Sequence, residues 1–532
     1  MKPNSLSIIT LSLLVPKTAT SVPPSCPDYS EYSKTRHEPF SSGRYALSYA
    51  RPPLQCRTFS SPEVESLITL MESEISDPDL YRLFQNTYPN TLDTAIRWRG
   101  NSSTNPLEEL TFIITGDIDA MWLRDSANQL QSYLPLLASS NSSLSSLFRG
   151  VINLQSRYLL TSSPYCNSFQ PPSESRIPPS ANSAADSDDV FPPYDPSRVF
   201  ECKYELDSLA AFLQLSVSYI QATGDADFFS SSLTWLPALK AVLETARSMQ
   251  TPTYSPEGSV LPSPYRFTRL TRRQTETLSN DGLGGPVASG TGLIRSAFRP
   301  SDDSTLHQFL IPSNMMFARY LGLAASSIVE RCFGDEDAGS EFASALLKFS
   351  SDLRSAIETH GVVPVPVLAA DGSATRTETV YAYEVDGFGS ANLMDDANVP
   401  SLLSAPLFGY LAASDPAYRR TRERILSQAA NGYFMKGPVI SAVGGPHAGP
   451  GMAWPMASIV RIMTSDDDDE IAGALKELLA STDGLGLMHE SVNTFDASKW
   501  TRQWFSWANG LFGQMILDLR ARKPHILRQN FQ

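Results

Sequence analysis

The chain has 532 residues, 42% of them hydrophobic and 18% charged, with a formal charge of -14 at pH 7. This balance suits a large globular protein with a substantial core and excludes a disordered chain. An acidic surplus gives no attraction to nucleic acid or anionic lipid, so a neutral polar ligand such as a sugar fits better than either.

In chain order, the first signal is Lys2, then an apolar run over 6–15 and small residues at Ala19, Thr20 and Ser21, the pattern of a secretory signal peptide over 1–21. The run is too short to span a bilayer, and no later uninterrupted apolar stretch reaches about 18 residues. The mature chain is therefore expected in the secretory pathway or outside the cell, without a membrane segment. Residues 22–44, rich in Ser, Pro and charge, read as a flexible arm. N-x-S triplets at Asn101 and Asn141 suit export through a glycosylating pathway. A Pro/Ser-rich stretch over about 165–199 reads as a surface insertion. No later change in composition marks a boundary, so 45–525 is expected to be one domain. The five cysteines (Cys26, Cys56, Cys166, Cys202 and Cys332) are too scattered for a disulfide-dense scaffold or a CxxC metal site. At least one stays unpaired within the chain. Cys166 and Cys202 flank the insertion, where the alternatives are a bridge, if the compartment is oxidising, and buried free thiols.

Helical periodicity dominates the rest. Over 204–223, Leu206, Leu209, Ala210, Leu213, Val217 and Ile220 recur at three- and four-residue steps, and Gly224 closes the segment. Similar helices are expected over about 126–138, 314–331, 397–413, 455–464, 469–480 and 503–521, while strand signals are sparse. The acidic run 466–470 reads as capping of the helix that follows it rather than as a calcium site. Long helices joined by loops imply an all-α fold whose loops build a pocket.

P-loop, dinucleotide-binding, GxSxG and HExxH patterns are absent from the sequence, and it holds only six histidines. Instead, carboxylates recur beside aromatics, Arg and Asn at four junctions, 116–125, 298–314, 381–398 and 488–509. Sugar sites are built this way: pyranose faces stack on aromatics, and hydroxyls need acceptors and charged partners. Taken singly, Asp125 and Asp396 read as helix N-caps and each Trp as core. Their repeated coincidence points to a site.

Together, MWLRD at 121–125, YELDSL at 204–209, FRPSDD at 298–303, LIPSN at 310–314, YAYEVDGFG at 381–389, NLMDDANVPSLL at 392–403, GPHAGPGMAWP at 445–455 and HES at 489–491 resemble glycoside hydrolase family 125. The resemblance is collinear over roughly 45–525. It implies an (α/α)6 barrel and an inverting exo-α-1,6-mannosidase acting on mannose-containing oligosaccharides or N-glycans, with no cofactor and no metal.

Inversion needs a protonated acid at the glycosidic oxygen and an ionised base on the opposite ring face, about 6.5–9.5 Å away. Adjacent aspartates offer the acid, because a like charge raises a neighbour's pKa. Asp302 is the favoured acid with Asp303 in support, although spacing alone does not separate them, and the resemblance points to the same motif. It also puts the base at Glu490, ahead of Trp504 and Trp507 as sugar platforms. His489 either orients the base or is a hydrogen-bonded structural residue. Arg124, Asp125 and Asp386 are expected to grip sugar hydroxyls, and Trp122, Arg299, Asn314 and His447 from the same motifs complete the substrate-binding set. Two departures from the family pattern are local: the long insertion, and SVNTFDASKW at 491–500 beside the expected base. The competing readings are a glucosidase or trehalase on the same helical barrel, and a secreted glycan-binding protein without turnover.

Overall fold

Helices begin where the sequence supplies an acceptor for the first free amides. The Asp77 carboxylate accepts from the backbone N–H groups of Asp79 and Leu80 and opens Pro78–Thr87. Asp467 does the same for Asp468–Ala480, accepting from Asp469 and Glu470, which is the capping role expected of the acidic run. Leu206–Thr223 ends at Gly224, whose φ of +71° is a left-handed conformation that a Cβ would penalise. The structure, a computed structural model, describes residues 26–137, 141–334, 337–368 and 375–532.

The helices pack in neighbouring pairs. Leu206–Thr223 lies against Ile311–Ala324 and Leu123–Asn128, and Ile311–Ala324 against Asp337–His360. Ser143–Thr161 packs on Trp235–Ser248, and Ser506–Arg522 packs on both Pro455–Met463 and Pro78–Thr87. One continuous apolar core runs through these contacts, with Trp235, Trp454 and Trp507 fully buried within it.

Strands are short. Three sheets of three strands each include one strand that runs directly into a helix or ends just before it: Met121–Trp122 before Leu123–Asn128, Phe309–Leu310 before Ile311–Ala324, and Met452–Ala453 before Pro455–Met463. Each strand fixes the direction from which its helix starts.

The observed elements revise several expectations. No helix forms over 397–413; Pro400 and Pro406 lack the N–H that a helical ladder needs, and Gly409 sits at φ +70°. The Asp395 carboxylate instead accepts from the amides of Leu402 and Leu403. The helix expected over 126–138 is Leu123–Asn128 followed by a 3-10 turn, Gln131–Leu136, which contains Pro135. The arm expected to be flexible is tied down from Cys26 onward. Cys26 is bonded to Cys56, the Tyr29 hydroxyl donates to the Ala50 carbonyl, and the Tyr29 ring packs edge-on against Trp504. Cys166 is bonded to Cys202 across the base of the insertion, and Cys332 is free. The expected signal peptide, 1–21, lies outside the described residues. Among the described residues, no helix is long and apolar enough to cross a membrane.

Candidate active site

A cavity of about 620 Å³ opens where these strand-to-helix turns converge. Trp122, Arg124 and Asp125 reach it from the first of these turns, Asp302 from the loop that precedes Phe309–Leu310, His447 and Trp454 from the segment before Pro455–Met463, and Glu490, Arg502 and Trp507 from the C-terminal sheet and helix. Ser180 and Asn182 of the insertion form part of the wall. The insertion is held there by its own polar groups. The Ser180 hydroxyl donates to the Asp119 carbonyl, and the Asn182 amide donates to the Phe200 carbonyl.

Asp302 sits in a tight turn at φ +66°, in the left-handed region where a non-glycine residue is strained. The turn is closed by the Asp302 amide donating to the Arg299 carbonyl and the Arg299 amide donating to the Asp303 carbonyl. Its Oδ1 accepts from Asn167 Nδ2 at 2.9 Å and Trp122 Nε1 at 3.3 Å, and lies 3.9 Å from Arg124 Nη2. Asn167 Nδ2 also donates to Glu205 Oε1 at 3.1 Å, so one amide joins the two carboxyl groups. Arg124 Nη1 meets Glu205 Oε2 at 2.5 Å and Asp207 Oδ2 at 3.3 Å, and Nη2 meets Asp125 Oδ2 at 3.3 Å. One buried guanidinium thus faces four carboxyl groups.

Burial pushes the Asp302 carboxyl up, but the charges of Arg124 and Lys203 and a hydrogen bond to Glu205 outweigh it and hold the pKa at about 2. Burial drives Glu205 well above the carboxylate range despite Arg124, with the negative charges of Asp302 and Asp207 adding to the rise. Their surroundings therefore push the two neighbouring carboxyls in opposite directions. The adjacent aspartates were expected to raise the pKa of the acid, but the cations Arg124 and Lys203 hold Asp302 low instead. Asp303 faces the other way: its Oδ2 accepts from the Ser301 hydroxyl and its Oδ1 lies 3.7 Å from His447 Nδ1. The side chain of Asp302 is 24% exposed and that of Asp303 only 2%, so Asp302 is the one a ligand in the cavity can touch.

On the C-terminal side, Glu490 Oε2 accepts from Thr501 Oγ1 at 2.9 Å, and Oε1 lies 3.5 Å from Arg502 Nη1. Pairing of Ser491 with Thr501 in the sheet holds these two segments in register. Arg502 is itself fixed by Asp117 at 2.7 Å and by the Thr115 hydroxyl at 3.0 Å. His489 contacts the Thr482 carbonyl at 3.3 Å and stacks on Trp500 with centroids 4.7 Å apart. Burial lowers its pKa to about 4, so the ring is neutral, and these contacts are those of a packed histidine. His447 behaves oppositely: burial pulls its pKa down, yet a hydrogen bond to Asp303 and the charges of Glu490, Asp303 and Asp302 lift it to about 9.

Trp122 packs edge-on against Phe200, and the Arg124 guanidinium lies 5.7 Å over the Trp507 ring, so the cavity joins aromatic surfaces to charged hydrogen-bonding groups. Burial raises Asp125 to about 6 against the pull of Arg124. Four residues named from the motifs lie elsewhere. Arg299 pairs with buried Glu384 at 2.7 Å and supports the turn that carries Asp302. Asn314 bonds the backbone of Ile294 and Leu310, Asp386 accepts from the amides of Phe388 and Ser390, and Trp504 Nε1 donates to Asn90 Oδ1. Asn167, Lys203, Glu205, Trp454 and Arg502 received no role from the sequence. Glu205, Trp454 and Arg502 sit in or beside quoted motifs, whereas Asn167 lies inside the insertion, where no motif marks it. Among the described residues, no group of three His, Cys, Asp or Glu side chains is arranged to hold a metal ion.

Carboxyl groups brought by separate segments to one aromatic, arginine-rich cavity in a helix-rich scaffold are the equipment of a glycoside hydrolase. Residues 77–517 match the family described as metal-independent alpha-mannosidase (GH125), and the chain belongs to that family. It is 47% identical over 506 residues to the Meiotically up-regulated gene 157 protein of Schizosaccharomyces pombe, covering 95% of this chain and 94% of that protein. A solved structure of a Streptococcus pneumoniae metal-independent α-mannosidase, in a non-productive complex with α-1,6-mannobiose, is 32% identical with a TM-score of 0.73. The match covers 88% of this chain and 100% of that one.

Proposed function

We propose that this glycoside hydrolase is an exo-acting α-mannosidase that releases terminal α-1,6-linked mannose by inversion, on an (α/α)6 barrel formed by residues 45–525. The observation that carries this reading is that Asp302 and Glu490 line one aromatic cavity. Asp302 protonates the glycosidic oxygen, and Glu490 takes a proton from the water that attacks the anomeric carbon from the other face. Trp122 offers a surface to sugar rings, Trp507 is fully buried and backs the wall beneath the Arg124 guanidinium, and Arg124, Asp125 and His447 take hydroxyls. Asp303 keeps His447 charged through their contact at 3.7 Å. The α-1,6-mannobiose bound by the pneumococcal relative supports the linkage, and mannose-bearing oligosaccharides and N-glycans are the proposed substrates. Two disulfides fit a secretory or extracellular setting, where thiols are oxidised. The test is release of mannose from α-1,2-, α-1,3- and α-1,6-mannobiose under the same conditions. The 1,6 isomer should turn over fastest, and equal rates on all three would overturn the linkage.

A further inference from the structure

We propose that Glu205 is a positioning residue that holds, next to Asp302, the proton delivered to the leaving oxygen. The inference rests on the reading of Asp302 as the acid. Glu205 is 1% exposed and does not line the cavity, so it acts through Asp302 rather than on the sugar. Two side chains bind the groups into one unit, and a third fixes Glu205. Asn167 Nδ2 spans Asp302 Oδ1 and Glu205 Oε1 at 2.9 and 3.1 Å, Arg124 reaches Glu205 with Nη1 and Asp302 with Nη2, and Ser208 Oγ donates to Glu205 Oε2 at 2.8 Å. These leave Asp302 with little freedom to turn away.

The charges around the pair come from every side. Arg124 and Asp125 belong to Leu123–Asn128, Lys203 precedes Leu206–Thr223, Asp207 lies in its first turn, and His447 stands beside Asp303. Cations this close stabilise an ionised Asp302, which is the wrong state for an acid. A neighbouring carboxyl that carries a proton removes the difficulty. As the glycosidic C–O bond breaks, the Glu205 proton moves to Asp302 while Asp302 gives a proton to the leaving oxygen. Glu490 accepts the proton lost by the attacking water. The carboxyl pair, briefly without a proton beside Arg124 and Lys203, regains one from solvent after the sugars leave.

Glu205→Gln keeps the shape and removes the proton. With no proton beside it to draw on, Asp302 stays ionised beside Arg124 and Lys203, so the alkaline limb of kcat/KM should move to lower pH. The variant should lose at least about 100-fold on α-1,6-mannobiose but less than about 5-fold on dinitrophenyl α-mannoside, whose aglycone leaves without protonation. Glu205→Asp retains an ionisable group and should keep the wild-type limb with a smaller loss. If Glu205→Gln does not accumulate as folded protein, the two substrates on Glu205→Asp decide: a larger loss on α-1,6-mannobiose than on the dinitrophenyl mannoside supports the role, and equal losses overturn it. Equal losses on both substrates with an unmoved limb would show a purely structural role and overturn the proposal. Asp302→Asn, assayed alongside, separates the two failures. Leaving-group dependence there but not in Glu205→Gln refutes only the role of Glu205, and its absence in Asp302→Asn refutes the acid assignment.

Discussion

Replacing His447 by Gln removes a cation held between Asp303 and Glu490, and the consequence has a definite pH signature. Burial alone would keep this imidazole neutral. The contact with Asp303 at 3.7 Å and the charges of Glu490 and Asp302 reverse that and raise its pKa from 6.5 to about 9. A folded-state pKa above the unfolded value means that the charged ring stabilises the protein fully below about pH 6.5, and that this contribution disappears as pH rises through about 9. The difference corresponds to at most about 3 kcal/mol, and to about 2 kcal/mol after allowing for a side chain that is 30% exposed. The assay is urea unfolding of wild type and His447→Gln at steps from about pH 6 to about pH 10. The stability gap should be widest at the acid end and close by about 2 kcal/mol across that range. Parallel curves would mean that the ring titrates alike in the folded and unfolded states, and that Asp303 does not hold its charge.

Glu490→Gln should lower turnover by about 10² to 10⁴-fold on every substrate, because the defect lies in the attacking water. Asp302→Asn should lose as much on α-1,6-mannobiose yet recover most of its rate on dinitrophenyl α-mannoside; if Asp303→Asn behaves this way instead, the two roles are exchanged. Extensive dialysis against EDTA should leave the rate unchanged, as the family's description implies, and loss restored by calcium or zinc would contradict the two-carboxylate scheme. Cys166 and Cys202 are 36 residues apart, so replacing both by Ser should cost about 4 kcal/mol by chain entropy. Because Ser180 and Asn182 of the bridged segment line the cavity, KM for mannobiose should rise as well. An unchanged urea midpoint and KM would show that the insertion keeps its place without the bridge.

Much of the helical scaffold was legible because single-face periodicity and capping residues are local signals. Leu206–Thr223, Pro455–Met463 and Asp468–Ala480 lie within a few residues of their expected spans. The segment 397–413 was misread because its apolar spacing mimics a helix while Pro400 and Pro406 withhold the needed amides. The firm hold on residues 26–44 comes from Cys56, Ala50 and Trp504, which composition does not reveal. In the site, motif residues at strand-to-helix turns were visible as acids and arginines beside aromatics. The partnership of Asp302 with Glu205 and Asn167 was not, because Asn167 stands 135 positions from Asp302 and no periodicity links them. Arg299 and Asn314 carry motif signatures as strong as those of Arg124, yet they brace the turn and helix behind the cavity. A motif marks a constrained residue without saying which side of the wall it stands on.

The central claim is that water, activated by Glu490, attacks on the face opposite the bond that Asp302 protonates. The most direct measurement is proton NMR of α-1,6-mannobiose hydrolysis, followed before mutarotation scrambles the product. The account predicts that β-mannose appears first. Initial release of α-mannose would contradict it, since retention requires a carboxylate nucleophile and a glycosyl-enzyme intermediate.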